Sequence, residues 1–145
     1  MIKIRRAHKE DVDAVSELFD AYRVWYRKES DSAGAKEFLR DRIAYNESVI
    51  YLAEDENVVV GFTQLYPIFS STRMQQMWLL NDLYVIKAQR GKGIGRALIE
   101  KSQALSKQTA AAGILLETEV TNEAGNHLYP SLGFKLEKNN FYFWS

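Results

Sequence analysis

Cysteine is absent from this chain and histidine is scarce, which removes several kinds of chemistry at once. Among the 145 residues there are no cysteines and two histidines, His8 and His127. The lack of thiols excludes disulfides, thiolate nucleophiles and zinc–thiolate sites. The two histidines lie too far apart in the sequence to suggest a metal site. We therefore expect a protein that holds no metal and whose chemistry does not use sulfur side chains.

Excess charge and long apolar runs are missing too. Nineteen Lys and Arg residues balance nineteen Asp and Glu residues, so nothing global points to nucleic acid or to an anionic membrane. No apolar run reaches the ~18 residues of a membrane span, and no signal peptide is evident, so we expect a cytoplasmic location. With 46% hydrophobic residues, the composition predicts one globular domain over residues 1–145.

A glycine-rich basic turn at residues 90–96, Arg-Gly-Lys-Gly-Ile-Gly-Arg, is the most informative segment. A predicted strand precedes it, and Ile94, Leu98 and Leu105 after it repeat with helical spacing. Glycines permit positive φ and turn several N–H groups inward, while a helix N-terminus adds unpaired donors and the positive end of its dipole. The turn therefore predicts a phosphate or pyrophosphate site, against the alternative of a tight turn with solvated basic residues.

Two named phosphate motifs do not fit this turn. A Walker loop requires a Lys followed by Ser or Thr after the glycines, and that pair is missing. A dinucleotide fingerprint needs glycine where Arg96 stands. Glu117 does lie at a suitable distance for that fingerprint, but too little chain follows the turn to build the rest of a dinucleotide-binding fold.

A family resemblance emerges from this turn and from a second motif downstream. Arg90-x-x-Gly93-x-Gly95, after a strand that ends Leu-Tyr-Val, resembles the acyl-CoA signature of the GNAT N-acetyltransferases. The stretch 122–134, with an Asn, a helix carrying Leu-Tyr and then Gly-Phe, is similar to the second signature of that family. The opening Ile4-Arg-Arg-Ala, followed by Asp11, resembles the usual N-terminus. The resemblance spans nearly the whole chain and implies transfer of an acetyl group from acetyl-CoA to a primary amine.

The hydrophobic pattern predicts an α/β fold of order βααβββαβαββ. The resemblance implies a GNAT-type mixed, mostly antiparallel sheet flanked by about four helices, with one parallel crossover through residues 77–119. Helices are expected at 12–26, 35–46, 94–107 and 122–132. Strands are expected at 2–5, 49–53, 58–66, 77–85, 113–119, 134–137 and 141–144.

The resemblance also implies which residues bind acetyl-CoA and protonate its leaving group. A backbone N–H of the strand before the turn would stabilise the thioester oxygen. Asn122 would bond the pantetheine arm, cap its helix, or do both. Tyr129 occupies the position of the acid that protonates the departing thiolate, with simple packing as the alternative. The implied acetyl-CoA-binding residues are Leu83, Tyr84, Val85, Arg90, Gly91, Lys92, Gly93, Ile94, Gly95, Arg96 and Asn122.

Amine acylation needs a route for a proton, because an alkylammonium has a pKa near ~10.4. The stretch 80–85, Leu-Asn-Asp-Leu-Tyr-Val, resembles Leu-Glu-Asp-Phe-Phe-Val of polyamine (spermidine/spermine) acetyltransferases, whose catalytic glutamate position falls on Asn81. Asn81 orients a water or an amine but cannot take a proton. Asp82 is our first choice for the base, although it faces away unless a β-bulge re-aims it. Glu117 and Glu119 on the next strand are the alternatives, and each carboxylate has a purely structural role as its other explanation.

The acceptor pocket is expected between the first helix, the loop after it and the central hairpin. Aromatic rings with nearby carboxylates suit a cationic amine, with ordinary core packing as the alternative. A small amine such as a polyamine or amino acid, and a protein lysine or N-terminus, both stay open. The candidate substrate-binding residues are Tyr22, Tyr26, Glu29, Gln64 and Tyr66.

Two further hypotheses concern the missing glutamate and the C-terminus. Without a glutamate at Asn81, a non-catalytic acyl-CoA-binding regulatory module is the alternative function. Four consecutive aromatic residues at 141–144 place apolar side chains on both faces of the last predicted strand. Such a patch usually marks an interface, so we expect a homodimer, unless a helix of the same chain covers the second face.

Overall fold

The computed structural model describes residues 1–145 as a five-stranded sheet with four helices. The strands are β1 (Ile2–Arg6), β2 (Val49–Asp55), β3 (Val58–Ser70), β4 (Gln75–Val85) and β5 (Ile114–Leu116). The helices are α1 (Val12–Trp25), α2 (Ser32–Ala44), α3 (Ile94–Gln108) and α4 (Glu123–Ser131). The strands lie side by side in chain order, and every neighbouring pair is antiparallel except β4 and β5, which are parallel.

Two hydrophobic clusters, one on each face of the sheet, hold the helices in place. On one face α1 and α2 pack through Val15 and Leu39 against Phe62 of β3. On the other face α3 packs through Leu98, and α4 adds Leu128 at the edge of that cluster. Because both faces are covered, the first five residues of β2 are all buried and apolar, without the alternation of a half-exposed strand.

The strands β4 and β5 separate after a short parallel contact. Their pairing joins Trp78 to Ile114 and ends where Leu80 meets Leu116. Beyond that point residues 81–85 continue β4 with β3 as their only strand partner, while the chain after β5 turns away toward α4. The sheet therefore opens on this side of β4, and backbone groups along residues 81–85 face the opening.

A β-bulge at Asn81 decides which side chains of β4 face α1 and α2. Gln64 pairs with Asp82 and the next residue, Leu65, pairs with Leu80, so Asn81 is the additional residue. Directly paired residues point to the same face of a sheet. Asp82 therefore lies beside Gln64 on the face covered by α1 and α2, while Leu80 joins the cluster beneath α3.

The two predicted C-terminal strands do not form, so the observed order is βααβββαβα rather than βααβββαβαββ. Residues 134–145 contain neither helix nor strand. Phe134 packs against Tyr129, but the other large apolar side chains of this tail, Leu136 and the four aromatics at 141–144, are between 69% and 94% exposed. The physical reason lies at the sheet edge: β5 has three residues, and a two-stranded hairpin that extends so short an edge is marginal by itself.

The other elements match the sequence predictions apart from their ends. β3 continues past Pro67 to Ser70, and β5 is shorter than predicted. Gly133, with φ +92°, ends α4 in a left-handed conformation instead of opening a strand. The expected mixed, mostly antiparallel sheet with four helices is confirmed. None of the four helices is long and apolar enough to cross a bilayer.

Candidate active site

A cleft of about 400 Å³ occupies the gap between β4 and the chain after β5. Its walls are the second half of β4, the glycine-rich turn with the start of α3, the start of α4 and the end of α1. The segment that resembles the acyl-CoA signature and the segment that resembles the second signature therefore meet across one opening.

The glycine-rich turn presents free donors to this cleft. The first backbone hydrogen bond at the start of α3 runs from the N–H of Ala97 to the carbonyl of Gly93 at 3.0 Å, so residues 94–96 have N–H groups without helical partners. Gly91 and Gly93 have φ of +78° and +80°, which glycine alone adopts without strain. A Cβ on either would find no atom within 4 Å, so the space beside the turn is open for an anion.

Two of the three basic residues of the turn line the cleft. The Arg90 guanidinium donates through Nε to the carbonyl of Val85 at 2.8 Å and lies 4.7 Å from the centre of the Trp25 ring. Arg96 donates to Ser131 Oγ at 3.0 Å. Lys92 does not line the cleft, and its Nζ donates to Gln89 Oε1 at 2.9 Å. Arg90 and Arg96 thus supply the positive charge inside the cleft.

Asn122 fulfils the capping role that the sequence suggested. Its Oδ1 accepts from the N–H of Gly125 at 3.1 Å, and its Nδ2 donates to Thr118 Oγ1 at 2.8 Å. It also lines the cleft, so a contact with a bound ligand is compatible with the cap.

Tyr129 of α4 lines the cleft on the side opposite α1. Burial raises the pKa of its hydroxyl to about 12, so the group keeps its proton at neutral pH. Gly125 allows the ring to come close, since a Cβ there would lie 3.1 Å from Tyr129 Cε2 and 2.6 Å from Asn122 Nδ2. The structure therefore brings a protonated phenol to the cleft.

Asp82 is a buried carboxyl with 2% exposure. Its Oδ2 accepts from Gln64 Nε2 at 2.5 Å, and its Oδ1 accepts from Asn81 Nδ2 at 2.9 Å. Burial raises the pKa of Asp82 above its ordinary value, while the hydrogen bonds from Gln64 and Asn81 oppose the rise. A carboxyl in this environment takes up a proton more readily than an exposed aspartate does.

Asn81 and Tyr22 stand between Asp82 and the cleft. Both line the cleft wall, whereas Asp82 does not. The Tyr22 hydroxyl donates to the backbone carbonyl of Asn81 at 3.0 Å, and its own pKa is raised by burial and by the nearby carboxylate of Asp82. Asn81 therefore both lines the cleft and bonds Asp82, and Tyr22 lies beside it.

The two alternative carboxylates occupy different places. Glu117 lines the cleft. Glu119 does not, and its Oε2 accepts from Arg27 Nη2 at 2.8 Å in an ion pair at the surface. Glu119 is therefore engaged by a cation, and Glu117 is the alternative base that the cleft retains.

The predicted substrate-binding residues divide into two groups. Tyr22 and Tyr26 line the cleft with ring centres 5.0 Å apart. The expectation for Gln64 is wrong, because its side chain is fully buried and is held by Asp82 and Ser48 instead of facing the cleft. Tyr66, farther along β3 beyond the bulge, and Glu29, exposed in the loop after α1, are not part of the cleft wall either.

Several residues of the cleft escaped the sequence analysis. Gln89, Thr118 and Gly125 line it, and none was given a binding role, although Gly125 lies within the stretch 122–134. Gly125 had a detectable signal, because a glycine inside a predicted helix costs about 1 kcal/mol relative to alanine and so suggests a close contact. Gln89 and Thr118 had none, since exposed-looking polar residues before a turn or after a strand are common.

Comparison with known proteins agrees with the site. Residues 14–134 match the model of the Acetyltransferase (GNAT) family, and the chain belongs to that family. It is 40% identical over 134 residues, covering 92% of this chain and 90% of the relative, to an uncharacterized N-acetyltransferase, YhfO, of Bacillus subtilis (strain 168). The crystal structure of a probable acetyltransferase superposes with a TM-score of 0.93 at 33% identity, over 99% of this chain and 97% of that one.

A more distant structure shares the fold. A predicted acetyltransferase from Clostridium acetobutylicum, solved with acetyl-CoA, matches with a TM-score of 0.82 at 17% identity over 99% of this chain and 96% of that one. Family membership confirms the expected acetyltransferase class. The likeness of residues 80–85 to polyamine acetyltransferases stays a hypothesis.

The glycine-rich turn yields a prediction about CoA binding. Gly95 is the best test position, because it lines the cleft inside α3, where a side chain brings no left-handed strain, and its added Cβ meets only Leu128 Cδ2, at 3.7 Å. We expect Gly95→Val to weaken CoA binding at least tenfold in calorimetry, since the side chain takes space needed by the pyrophosphate.

Gly113→Val is the matched control, because Gly113 lies outside the cleft and a Cβ there meets nothing within 4 Å. Both variants should unfold near the wild-type temperature. An unchanged CoA affinity in a folded Gly95→Val protein would remove the turn from the binding site.

Proposed function

We propose that this protein is an N-acetyltransferase that transfers the acetyl group of acetyl-CoA to a primary amine by direct attack on the thioester. The observation that carries the proposal is the meeting of three features in one cleft: the donor-rich glycine turn, the protonated Tyr129, and the bulge that places Asp82 behind Asn81. Each supplies a different requirement of amine acylation.

The glycine turn and the open edge of β4 serve binding and orientation. The N–H groups of residues 94–96, with Arg90 and Arg96, favour a pyrophosphate. The β4 backbone near Leu83, Tyr84 and Val85 lies at the same opening and offers the donor for the thioester oxygen as negative charge develops there. Holding both reactants in one cleft also lowers the entropic part of the barrier.

Proton movement accounts for the remaining residues. The ammonium of the acceptor loses a proton to Asp82 through a water that Asn81 and Tyr22 orient. The free amine then forms a bond from its nitrogen to the acetyl carbon, and the bond from that carbon to sulfur breaks. Tyr129 gives its proton to the departing thiolate and regains one when the new amide nitrogen loses its extra proton, while Asp82 releases the proton it accepted to solvent, so that both groups return to their starting state. The pKa of Tyr129, raised to about 12 by burial, keeps that proton available until the thiolate forms.

For the acceptor, we propose a cationic amine received by the aromatic wall of α1. Tyr22, Trp25 and Tyr26 line the cleft, and aromatic faces attract a cation; Arg90 already lies against Trp25, which leaves the rings of Tyr22 and Tyr26 for the amine. The likeness of residues 80–85 to polyamine acetyltransferases makes spermidine the first compound to test. Amino acids and peptides with a free N-terminus or lysine complete the panel.

A non-catalytic acyl-CoA-binding module is the alternative, and one observation favours it: the only carboxylate of the bulge, Asp82, does not reach the cleft wall. Release of free CoA thiol from acetyl-CoA, measured across the panel, separates the two functions. Turnover with any amine supports the enzyme. Tight acetyl-CoA binding with no turnover on any amine of the panel supports the module.

Replacing Tyr129 by Phe tests the acid. We expect Tyr129→Phe to bind CoA normally and to lower kcat by about 10²–10⁴-fold, because the change removes the proton donor and little volume. Tyr51→Phe is the control, since that phenol is also partly buried but packs under α3 away from the cleft. A kcat within about twofold of wild type would reduce Tyr129 to a packing role.

Replacing Asp82 by Asn tests the base. For wild type, kcat/KM should fall as the pH drops through the pKa of Asp82, which burial raises, since a protonated carboxyl cannot accept the proton. Asp82→Asn should lose most activity at low pH, where the acceptor is mainly protonated, and recover part of it at high pH. If Asp82→Asn matches wild type at every pH while Glu117→Gln loses activity, the base is Glu117.

We also propose that two copies associate through the C-terminal tail, because its four aromatics find no cover in one chain. Light scattering at tens of micromolar should give a dimer mass that drops toward the monomer in the double variant Phe141→Ser, Phe143→Ser. Phe69→Ser, at an 80% exposed position on β3, is the control and should leave the mass unchanged. A monomer mass for wild type would contradict the proposal.

A further inference from the structure

We propose that Ser48 and Gln64 are positioning residues that hold the carboxylate of Asp82 in the orientation needed for proton transfer. The inference rests on the proposed role of Asp82 as the base. It replaces the substrate-binding role that the sequence suggested for Gln64 and assigns a role to Ser48, which no sequence motif marks.

The three side chains form one continuous hydrogen-bonded row across adjacent strands. Ser48, just before β2, donates through Oγ to Gln64 Oε1 at 2.8 Å, and Gln64 Nε2 donates to Asp82 Oδ2 at 2.5 Å. The exposed fractions of the three residues are 7%, 0% and 2%. Since water does not reach these groups, each depends on its neighbour for its hydrogen bond.

Asp82 sets the orientation of the Gln64 amide, and Ser48 completes the hydrogen bonding at its other end. With the hydroxyl of Ser48 donating to Oε1, the NH₂ group is left to face the carboxylate. The reversed amide would set Oε1 against a carboxylate oxygen, and two acceptors repel. The serine then supplies the only donor that Gln64 Oε1 has in this orientation, and so supports the amide that stabilises the ionised form of Asp82.

The bulge is what brings Asp82 into this row. In an unbulged ladder that keeps the pairing of Leu65 with Leu80, the partner of Gln64 would be Asn81, and no carboxylate would meet the amide. With Asn81 inserted, Asp82 takes the position opposite Gln64, and the Asn81 amide turns back to bond Asp82 Oδ1 at 2.9 Å. One carboxylate oxygen is thus held by Gln64 and the other by Asn81.

The other ionisable groups around Asp82 are tyrosines. Tyr22 and Tyr26 face it from α1 and Tyr66 from β3, and their pKa values are raised, chiefly by burial, so they stay neutral over the working range. From α2, Arg42 approaches Tyr66 but forms its ion pair with Glu47 at 3.0 Å. Burial raises the pKa of Asp82, and hydrogen bonds such as that from Gln64 therefore provide the opposing effect.

The test compares Gln64→Met and Ser48→Ala with wild type. Met keeps a similar volume without a donor, so kcat should fall about tenfold or more, as for loss of a hydrogen bond to a charged group. The acid limb of the kcat/KM profile should move to higher pH, with the KM for acetyl-CoA unchanged. Ser48→Ala should move it in the same direction by less, and Ser48→Thr should restore the wild-type profile.

Matched controls separate positioning from general loss of packing. Gln108→Met alters an exposed glutamine at the end of α3, and Ser102→Ala removes a buried hydroxyl that bonds only the Leu98 carbonyl of its own helix. Both should leave the pH profile in place. Where Asp82→Asn has shown that Asp82 is the base, an acid limb that does not move in Gln64→Met, with kcat lowered or not, would overturn the inference.

A spectroscopic measurement keeps the inference independent of turnover. Carboxyl ¹³C NMR, with the Asp82 signal identified through its loss in Asp82→Asn, follows protonation of Asp82 in a folded protein whether or not it is the base. If Asp82 titrates at higher pH in both Gln64→Met and Ser48→Ala than in wild type, the hydrogen-bonded row is supported. This holds even if Asp82→Asn keeps full activity, because full activity would refute only the role of Asp82 as the base. Unchanged titration in the two variants refutes the positioning role.

Discussion

The divergence of β4 and β5 is the constraint on which the rest of the site depends. Parallel pairing ends where Leu80 meets Leu116, and from there a backbone edge that a continuous sheet would bury is left open. Everything assigned to binding lies along that opening: the end of β4, the turn after it and the start of α4. Unpaired backbone N–H and C=O groups of a strand normally destabilise a protein. Along this edge a bound ligand can accept or donate their hydrogen bonds.

The second determinant is the bulge one residue beyond the last paired position. The bulge places the carboxylate of Asp82 in the layer between the sheet and the helices α1 and α2. There burial raises its pKa and hydrogen bonds lower it. Across the cleft, Tyr129 is shielded enough to keep its proton. In the proposed mechanism these two titratable groups have opposite tasks, since Asp82 accepts a proton and Tyr129 gives one.

The C-terminal tail shows where a local pattern misled the prediction. The aromatic run at 141–144 has strong strand propensity, yet propensity alone does not form a strand without a partner edge and a surface to pack on. Gln64 shows the same limit at the level of one side chain. Its position on a strand face was correctly assigned, but whether that face points to the cleft or into the layer behind it depends on the bulge and on α1 and α2.

The sequence by itself determined the order of the first nine elements, the glycine turn at a helix start, the family and the identity of Tyr129 and Asn122 as residues of the cleft. These depend on local signals, namely hydrophobic period, glycine spacing and capping residues, which act within a few positions of the chain. Only the tertiary structure decided that Asp82 is buried behind Asn81, that Gln64 and Ser48 hold it, and that Glu119 is engaged by Arg27. Those features arise from contacts between strands and helices that are distant in sequence. The register of two strands and the burial of a carboxylate depend on several such segments together, and no single segment encodes them.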